Sequence, residues 1–254
     1  MKKISSITVV KNDQANIADC INSLKMCVDE VIVLVDSSSS DKTLEIIKSI
    51  SSIRYEEVQW KGFALTKQYA VSLSSNDYIL WLDSDEILSE ELIAEINKLK
   101  SDNILSDTYS FPRKAIFIGK WIKHSGWYPG RVVRLFNKKD ASFNDNKVHE
   151  GLKFNSHVKI IELKKDIIHY TDRNLVHYLN KLNSYTSLAA EELRDKGKSV
   201  TLIDIIFRPL WIFVKMYLIK AGFLDGIHGF LLASYSSFYV FTKYTKLWEF
   251  KRTK

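Results

Sequence analysis

Hydrophobic and polar positions follow a regular alternation over the first hundred residues. Three predominantly apolar runs occupy 4–10, 31–36 and 78–83, and IRYEEV at 53–58 is interpreted as a further strand. Between and after them, apolar residues recur every three or four positions in 15–27, 37–50, 62–73 and 89–100. Runs of the first kind are typical of strands that are covered on both faces, and the second spacing predicts helices. The order predicts an α/β fold with a Rossmann-like, mostly parallel central sheet.

The pattern changes after Leu105. Extended segments follow over 106–172, and three helical stretches follow at 174–196, 200–220 and 226–248. Glycines mark the breaks between these helices. The chain therefore divides into an α/β domain over 1–172, with halves 1–105 and 106–172, and a helical region over 173–254.

The positive charge is concentrated in the helical region. The net charge is +7, and the residues from Arg194 onward, with eleven basic and four acidic side chains, account for all of it. This region is also rich in aromatic residues, a mixture typical of contact with nucleic acid or with an anionic membrane surface. No nucleic-acid-binding signature is present, so the sequence favours a membrane partner and no nucleic acid.

The apolar stretch 226–242 is too short, and contains too many polar residues, to span a bilayer. We expect it to lie on the membrane, although packing against the α/β domain explains its apolar face equally well. The amino terminus has no apolar segment of signal-peptide length. Cys20 and Cys27 fit buried thiols better than a disulfide. We therefore expect a cytoplasmic protein that is peripheral on the inner face of the cytoplasmic membrane.

Carboxylates follow two of the predicted strands directly. Asp36 ends the second strand, and Asp83 and Asp85, in WLDSDE, end the fourth. Ligands of α/β sheets bind beyond the carboxyl ends of the strands, and hard oxygen donors suit Mg²⁺ or Mn²⁺ shared with a diphosphate. A solvated acidic loop that caps the next helix is the alternative for the D-x-D pair. No Gly-x-Gly-x-x-Gly follows the first strand, which argues against a dinucleotide-binding dehydrogenase or a P-loop enzyme.

Several motifs together resemble glycosyltransferase family 2, whose catalytic domain has the GT-A fold. They are ITVVKNDQANI, VIVLVDSSSSDKT, WKGFALTKQYA and WLDSDE. Later segments, including WIKHSGWYPGRVVRLFNKK, VHEGL and HYTDRNLVHYLNKLNSYTSLAAEEL, are similar to lipopolysaccharide core glycosyltransferases of the WaaE/KdtX and LgtF type. The resemblance covers almost the whole chain. It implies that 1–105 is the nucleotide-binding half, 106–172 the acceptor half and 173–254 a membrane-associating region.

The resemblance also implies roles for individual residues. Asp36 would bind the nucleotide base, Lys67 would meet the nucleotide or its diphosphate, and Asp83 would lie on the ribose or metal side. Asp85 would be the direct metal ligand. Val10 and Asn12 would lie beside the base, and Ser38, which stands where the family commonly has glycine, belongs to the same group.

An inverting transfer needs a carboxylate that takes the proton of the attacking hydroxyl. Glu150, in VHEGL, is the first candidate, His149 would orient it or contact the diphosphate, and Asp145 is the second candidate. His169 could be a further metal or phosphate ligand, or a histidine buried at the end of a strand.

Aromatic and arginine side chains cluster earlier in the acceptor half. Aromatic faces suit sugar rings, and arginine suits phosphate through a bidentate contact. An aromatic-rich hairpin without a ligand is the alternative. The predicted acceptor-binding residues are His124, Trp127, Tyr128, Arg131 and Arg134.

These features predict an inverting, metal-dependent glycosyltransferase. The resemblance implies that it transfers glucose from UDP-glucose, in β-1,4 linkage, to the inner-core heptose of lipopolysaccharide. A polyprenyl phosphate or capsule acceptor, and a non-catalytic membrane-associated scaffold, are the alternatives.

Overall fold

The computed structural model describes residues 2–102, 107–143, 151–172, 174–250 and 252. The chain folds into two compact units. The first comprises Met1–Arg113 and Arg131–His169, and the second comprises Lys114–Gly130 and Tyr170–Lys254.

The strands and helices of the described residues are as follows. The strands are β1 Ile4–Val10, β2 Glu30–Asp36, β3 Arg54–Val58, β4 Tyr78–Trp81, β5 Glu86–Leu88, β6 Thr108–Phe111, β7 Arg113–Phe117, β8 Lys120–Trp121, β9 Val132–Asn137, β10 Ala141–Phe143, β11 Leu152–Phe154, β12 Ile160–Glu162 and β13 Ile167–Asp172. The helices are α1 Ile17–Lys25, α2 Thr43–Ser49, α3 Phe63–Leu73, α4 Glu90–Ser101, α5 Leu175–Asp195, α6 Leu202–Val214 and α7 Ile227–Glu249.

The central sheet belongs to the first unit. Its order within the described residues is β12-β6-β9-β4-β1-β2-β3. Strands β1, β2, β3 and β4 run parallel, as predicted, while β9 pairs antiparallel with both β4 and β6. The sheet is thus mixed. The α/β fold is confirmed, and the helices and strands of the first hundred residues lie where the pattern placed them.

Side-chain alternation divides the core between the two faces of this sheet. Along β2, Val31, Val33 and Val35 pack with α1 and α4, whereas Ile32 and Leu34 pack with α3. Both faces are apolar because helices cover both. Asp36 is the last residue of β2 and Asp83 follows β4, so the candidate site lies at the strand ends.

The second unit consists mainly of the three long helices that the sequence predicts. Lys246 on α7 donates hydrogen bonds of 2.8 Å to the backbone and side-chain oxygens of Asn183 on α5. Gly229 of α7 passes so close to the backbone of Gly222 that an added Cβ would lie 1.8 Å from its carbonyl oxygen. Only glycine fits at that crossing. In the described residues, no helix has the length and apolar character needed to cross a bilayer.

Candidate active site

A tight turn after β4 presents the D-x-D carboxylates. The strand ends at Trp81, and the backbone N–H of Glu86 donates to the carbonyl of Asp83 at 3.0 Å. The carboxylate of Glu86 in turn accepts from the backbone N–H of Asp83 at 3.2 Å. These reciprocal bonds close the loop into one fixed conformation, which holds Asp83 and Asp85 at the carboxyl end of the strand.

Two cations hold the carboxylate of Asp83. Lys67 on α3 donates to its Oδ1 at 2.9 Å, and Arg134 on β9 donates to its Oδ2 at 2.8 Å. Burial alone would raise the pKa of Asp83, but the charges of Lys67 and Arg134 outweigh it and hold that pKa well below its usual range. Asp83 is therefore a permanent anion that orders two buried cations.

The buried indole of Trp81 supports the same cations. The guanidinium carbon of Arg134 lies 3.5 Å from the centre of its ring, and the Lys67 ammonium lies 4.1 Å from it. Both cationic side chains are only 2% exposed. Such contacts strengthen when water is excluded. Trp81 therefore packs in the hydrophobic core and also contacts the two cations that hold Asp83.

Glu86 is a further partner in this network. It is fully buried and accepts from Arg134 Nη2 at 2.5 Å, while Arg113 lies 3.6 Å from the same oxygen. The attraction of Glu86 and Asp83 raises the pKa of Arg134, although burial opposes it. A buried arginine between two carboxylates is fixed in place, because losing either contact leaves a charge unpaired.

Asp85 faces a different partner. Strands β5 and β13 pair antiparallel with His169 opposite Glu86, which brings the imidazole beside the neighbouring Asp85. His169 Nε2 lies 3.2 Å from Asp85 Oδ2. The second ring nitrogen of His169 is buried and has no hydrogen-bond partner in the part of the chain that the structure describes.

The donor set at Asp85 fits a divalent cation. Carboxylate and imidazole are both ligands of Mn²⁺ and related ions, which commonly complete their shell with substrate phosphates and water. Both oxygens of Asp83 already accept from cations, so the geometry favours Asp85 and His169 over Asp83 as the ligands. Among the described residues, no cluster of three or more His, Cys, Asp or Glu side chains could hold a metal alone.

Asp36 lies at the end of β2 and is 2% exposed. Its Oδ1 accepts from the backbone N–H and the hydroxyl of Ser38, at 2.9 and 2.8 Å. Lys11 lies 3.2 Å from Oδ2, close enough for an ion pair but not aligned for a hydrogen bond. Burial by itself would raise the pKa of Asp36, but Ser38 and Lys11 lower it below the ordinary value.

Loops from different strands are joined around these carboxylates. Asn12, after β1, adopts a left-handed backbone with φ of 50°, and its side chain accepts from the backbone N–H of Ser40 at 2.7 Å. Ser84, between the two aspartates, donates to Asp13 at 2.7 Å. The loop after β1 is therefore bonded both to the loop after β2 and to the D-x-D turn.

A groove of ≈ 620 Å³ opens at the carboxyl end of β3. Val58, which lines it, is the register partner of Asp36 in the sheet, and Thr66, which also lines it, precedes Lys67. Its volume is within the range of small-molecule sites.

Comparison with known proteins agrees with this geometry. The profile of "Glycosyl transferase family 2" matches residues 5–161 of the chain. An uncharacterised glycosyltransferase of Rickettsia typhi is 33% identical over 98% of this chain and 88% of its own length.

The chain belongs to glycosyltransferase family 2.

A further relative of this family 2 glycosyltransferase is the lipopolysaccharide core biosynthesis glycosyltransferase LpsC of Rhizobium meliloti. It is 26% identical over 97% of the chain and 92% of its own length. Among solved structures, S. aureus TarS 1–349 in complex with UDP-GlcNAc is similar with a TM-score of 0.49 and 16% identity, covering 99% of this chain and 92% of that one. The family match and the relatives make the chain a glycosyltransferase, and its sheet has the α/β fold class that the sequence predicts.

The predicted acceptor residues of this glycosyltransferase are divided between the two units. Arg134 lies in the Asp83 network, where it is a partner of the D-x-D turn. Arg131 forms an ion pair with Glu162 at 3.1 Å and donates to the Leu163 carbonyl at 3.0 Å. Both arginines belong to the first unit.

The other predicted acceptor residues belong to the second unit. His124 Nδ1 lies 3.1 Å from the buried carboxylate of Asp225. Trp127 packs edge-on to Phe117, with ring centres 6.1 Å apart, and Tyr128 packs edge-on to Trp121, at 5.4 Å. The predicted base residues Glu150, His149 and Asp145 lie outside the described residues.

Sequence reasoning did not single out several residues of the site. Trp81, Glu86 and Lys11 were not assigned roles, although Trp81 and Glu86 stand directly beside the D-x-D pair. In the second unit, Trp121 was likewise assigned no role, and the ammonium groups of Lys114 and Lys123 lie 4.5 and 4.6 Å from the centre of its ring. The interleaving of lysines with aromatic residues in KAIFIGKWIK was the available signal.

Proposed function

We propose that this chain is an inverting, metal-dependent glycosyltransferase of lipopolysaccharide inner-core assembly. It transfers glucose from UDP-glucose, in β-1,4 linkage, to an inner-core heptose. The reaction takes place at the inner face of the cytoplasmic membrane. The observation that carries the chemistry is the separation of the D-x-D carboxylates into two environments, with Asp83 held by two buried cations and Asp85 beside a histidine.

Recognition of the donor nucleotide is assigned to the strand ends. Asp36, held as an anion by Ser38 and Lys11, would accept from the N–H of the base. Val10 and Asn12 would flank it. Lys67 would meet the diphosphate, because a buried ammonium is a strong electrostatic partner for an anion.

Charge stabilisation during departure of the nucleotide is assigned to the D-x-D turn. Asp85 and His169 would hold Mg²⁺ or Mn²⁺, which when bound neutralises charge on the leaving diphosphate as a Lewis acid. Asp83 would keep Lys67 and Arg134 oriented toward that charge. This preorganisation favours the transition state over the bound donor.

The remaining roles are proposed from the sequence. Glu150 would take the proton of the acceptor hydroxyl, with His149 beside it and Asp145 as the second candidate. The acceptor would meet Trp127, Tyr128 and His124, or Arg131, where aromatic faces and cations suit sugars and phosphates. Trp121 with its two lysines adds a surface of the same chemistry.

The lipopolysaccharide acceptor is supported by the similarity to LpsC, a protein named for lipopolysaccharide core biosynthesis, over nearly the full length of both chains. The acceptor in that process is an anionic glycolipid. The basic, aromatic-rich last quarter of this chain has the matching charge.

The donor is tested with purified protein, Mn²⁺ and a panel of UDP-sugars in the presence of truncated core acceptors. We expect UDP release with UDP-glucose, and we expect Asp85→Ala to abolish it while the circular dichroism spectrum is unchanged. No release with any donor, or undiminished release by the variant, would overturn the proposal.

The acceptor is tested in the organism by mass spectrometry of core oligosaccharide from a deletion strain and its parent. We expect the deletion to remove one hexose from the core. An unchanged core together with UDP release in vitro would show that the enzyme acts on another acceptor, such as a polyprenyl phosphate or a capsule sugar.

A further inference from the structure

Helix α6 exposes most of its apolar side chains and buries its one carboxylate, Asp204. Its exposed positions include Ile203, Phe207, Leu210 and Trp211, which are 57–63% exposed. Its buried positions are Asp204 and Pro209. A helix on the surface of a water-soluble protein shows the opposite arrangement.

The exposed residues form one continuous stripe. Spacings of three and four residues along a helix place side chains on the same face. Beyond α6 the stripe continues through Leu218 and Ile219, and further apolar side chains are exposed at the turn before α7. These are Phe223, Leu224 and Ile227, each 48–63% exposed.

The charges around this stripe have one sign. Between residues 202 and 224 the exposed charged side chains are Arg208, Lys215 and Lys220. Asp204, the one carboxylate in that segment, is buried and pairs with Arg208. The next carboxylate, Asp225, is buried as well. The surface is therefore apolar with a purely cationic fringe.

We propose that α6, with the segment that follows it to Ile227, is an in-plane helix that inserts into an anionic lipid surface. The stripe would enter the boundary between headgroups and acyl chains, and the three cations would meet lipid phosphates. This membrane contact rests on the proposed function, in which the acceptor is carried by the membrane. The proposed contact overlaps the stretch 226–242, where the sequence placed it, at Ile227, and it extends that contact to α6.

A second copy of the chain is the less favourable occupant. In a two-fold symmetric dimer the same patch faces itself, so the three cations would oppose three cations with no exposed carboxylate in the segment to pair with them. Anionic lipid supplies the missing charge. Arg208, on a long stem, can keep its guanidinium at the headgroups while its neighbours insert.

Co-sedimentation with vesicles tests the inference without donor or acceptor. Vesicles of phosphatidylethanolamine with about one third phosphatidylglycerol are compared with phosphatidylcholine vesicles. We expect binding to the anionic vesicles, and Phe207→Glu with Trp211→Glu should weaken it by about ten-fold or more. Met26→Glu, which changes a 66% exposed apolar side chain of the first unit, is the matched control and should bind normally.

Quenching by bilayers that carry bromine on the acyl chains tests insertion directly. We expect quenching of tryptophan emission in the wild-type protein and a clear reduction in Trp211→Phe. Equal vesicle binding by wild type and the double glutamate variant would overturn the proposal. A dimer in light scattering that the double variant dissolves, with no vesicle binding by the wild type, would assign the stripe to a second copy instead.

The vesicle result is separable from the proposed function. UDP release with a soluble truncated acceptor, measured on the double glutamate variant, should equal that of the wild type. If vesicle binding fails while that activity persists, only the membrane inference fails. If binding holds while no donor is turned over, the proposed function fails instead.

Discussion

One nitrogen of Arg134 donates hydrogen bonds to both Asp83 and Glu86. Nη2 donates to Asp83 Oδ2 at 2.8 Å and to Glu86 Oε1 at 2.5 Å. The arginine and Glu86 are almost fully buried, so the loss of their hydration is compensated mainly by each other and by Asp83, with smaller contributions from Arg113 and Trp81. The conformation of the D-x-D turn and the stability of the first unit therefore depend on the same arginine side chain.

Replacing Arg134 should destabilise the first unit strongly. Arg134→Met leaves Glu86 as a buried, poorly paired carboxylate, and we expect the free energy of unfolding to fall by about 3–5 kcal/mol. Urea denaturation at pH 7 measures this. Lys139→Met, which removes an exposed ion pair with Asp77, is the matched control and should leave the midpoint nearly unchanged. An equal response of both variants would contradict the central role of Arg134.

Replacing Lys67 should affect turnover more than folding. Lys67→Met retains the apolar stem over Trp81 but removes the charge beside Asp83, and we expect kcat/KM for the donor to fall by about 10²-fold or more. Steady-state UDP release measures this. Lys48→Met, at an exposed pair with Glu57, should retain wild-type kinetics. Normal turnover in Lys67→Met would exclude contact with the diphosphate.

Changing the Asp85 and His169 pair should alter the metal requirement. We expect Asp85→Asn and His169→Gln each to raise the half-activating Mn²⁺ concentration by about 10–100-fold. Mn²⁺ binding followed by electron paramagnetic resonance, with donor and without acceptor, gives a readout apart from turnover. Asp77→Asn, at the opposite end of β4, is the control. Wild-type Mn²⁺ titrations for both site variants would remove these residues from the metal site.

Asp36 should contribute stability that depends on pH. Its pKa is lower in the folded protein than in the unfolded chain, so its contribution is complete above the unfolded value of about 4 and is lost as the pH falls through the folded value. Asp36→Asn should therefore be less stable than the wild type at pH 7, and this gap should narrow below pH ~4. Unfolding curves from pH 7 to 3 measure the gap. A gap that stays constant would show that the carboxylate is not preferentially ionised in the fold.

The two thiols should be unreactive in the native protein. Burial raises the pKa of Cys27 to about 12, and burial also raises that of Cys20. Since the thiolate is the reactive form, we expect negligible reaction with a disulfide reagent at pH 8 and rapid reaction of both in denaturant. A fast native reaction would show that the α1 face opens.

The sequence predicts the scaffold well and proposes a place for the site, because both follow from local patterns. Continuous apolar runs mark β1, β2 and β4, and Asp36 and Asp83 follow two of these strands in the chain. Such neighbours along the chain are visible without knowledge of the fold.

The partners across the sheet are not visible in this way. Arg134 reaches Asp83 only because β9 pairs antiparallel with β4, and His169 reaches Asp85 only because β13 pairs with β5. Neither register can be read from local periodicity. Arg134 was consequently grouped with the aromatic residues beside it in the chain. Helix α6 was not distinguished from the other helices of 173–254, because periodicity does not say which face is covered.

Trp81 has a consequence for engineering the donor preference of this enzyme. Its ring contacts the side chains of Arg134 and Lys67, its indole N–H donates to the Val133 carbonyl at 3.0 Å, and its edge meets Phe143. A smaller residue there would loosen the hydrophobic interior and misplace both cations at once. Variants selected at this position for altered sugar use should therefore lose activity and thermal stability together. Compensating substitutions will have to restore both.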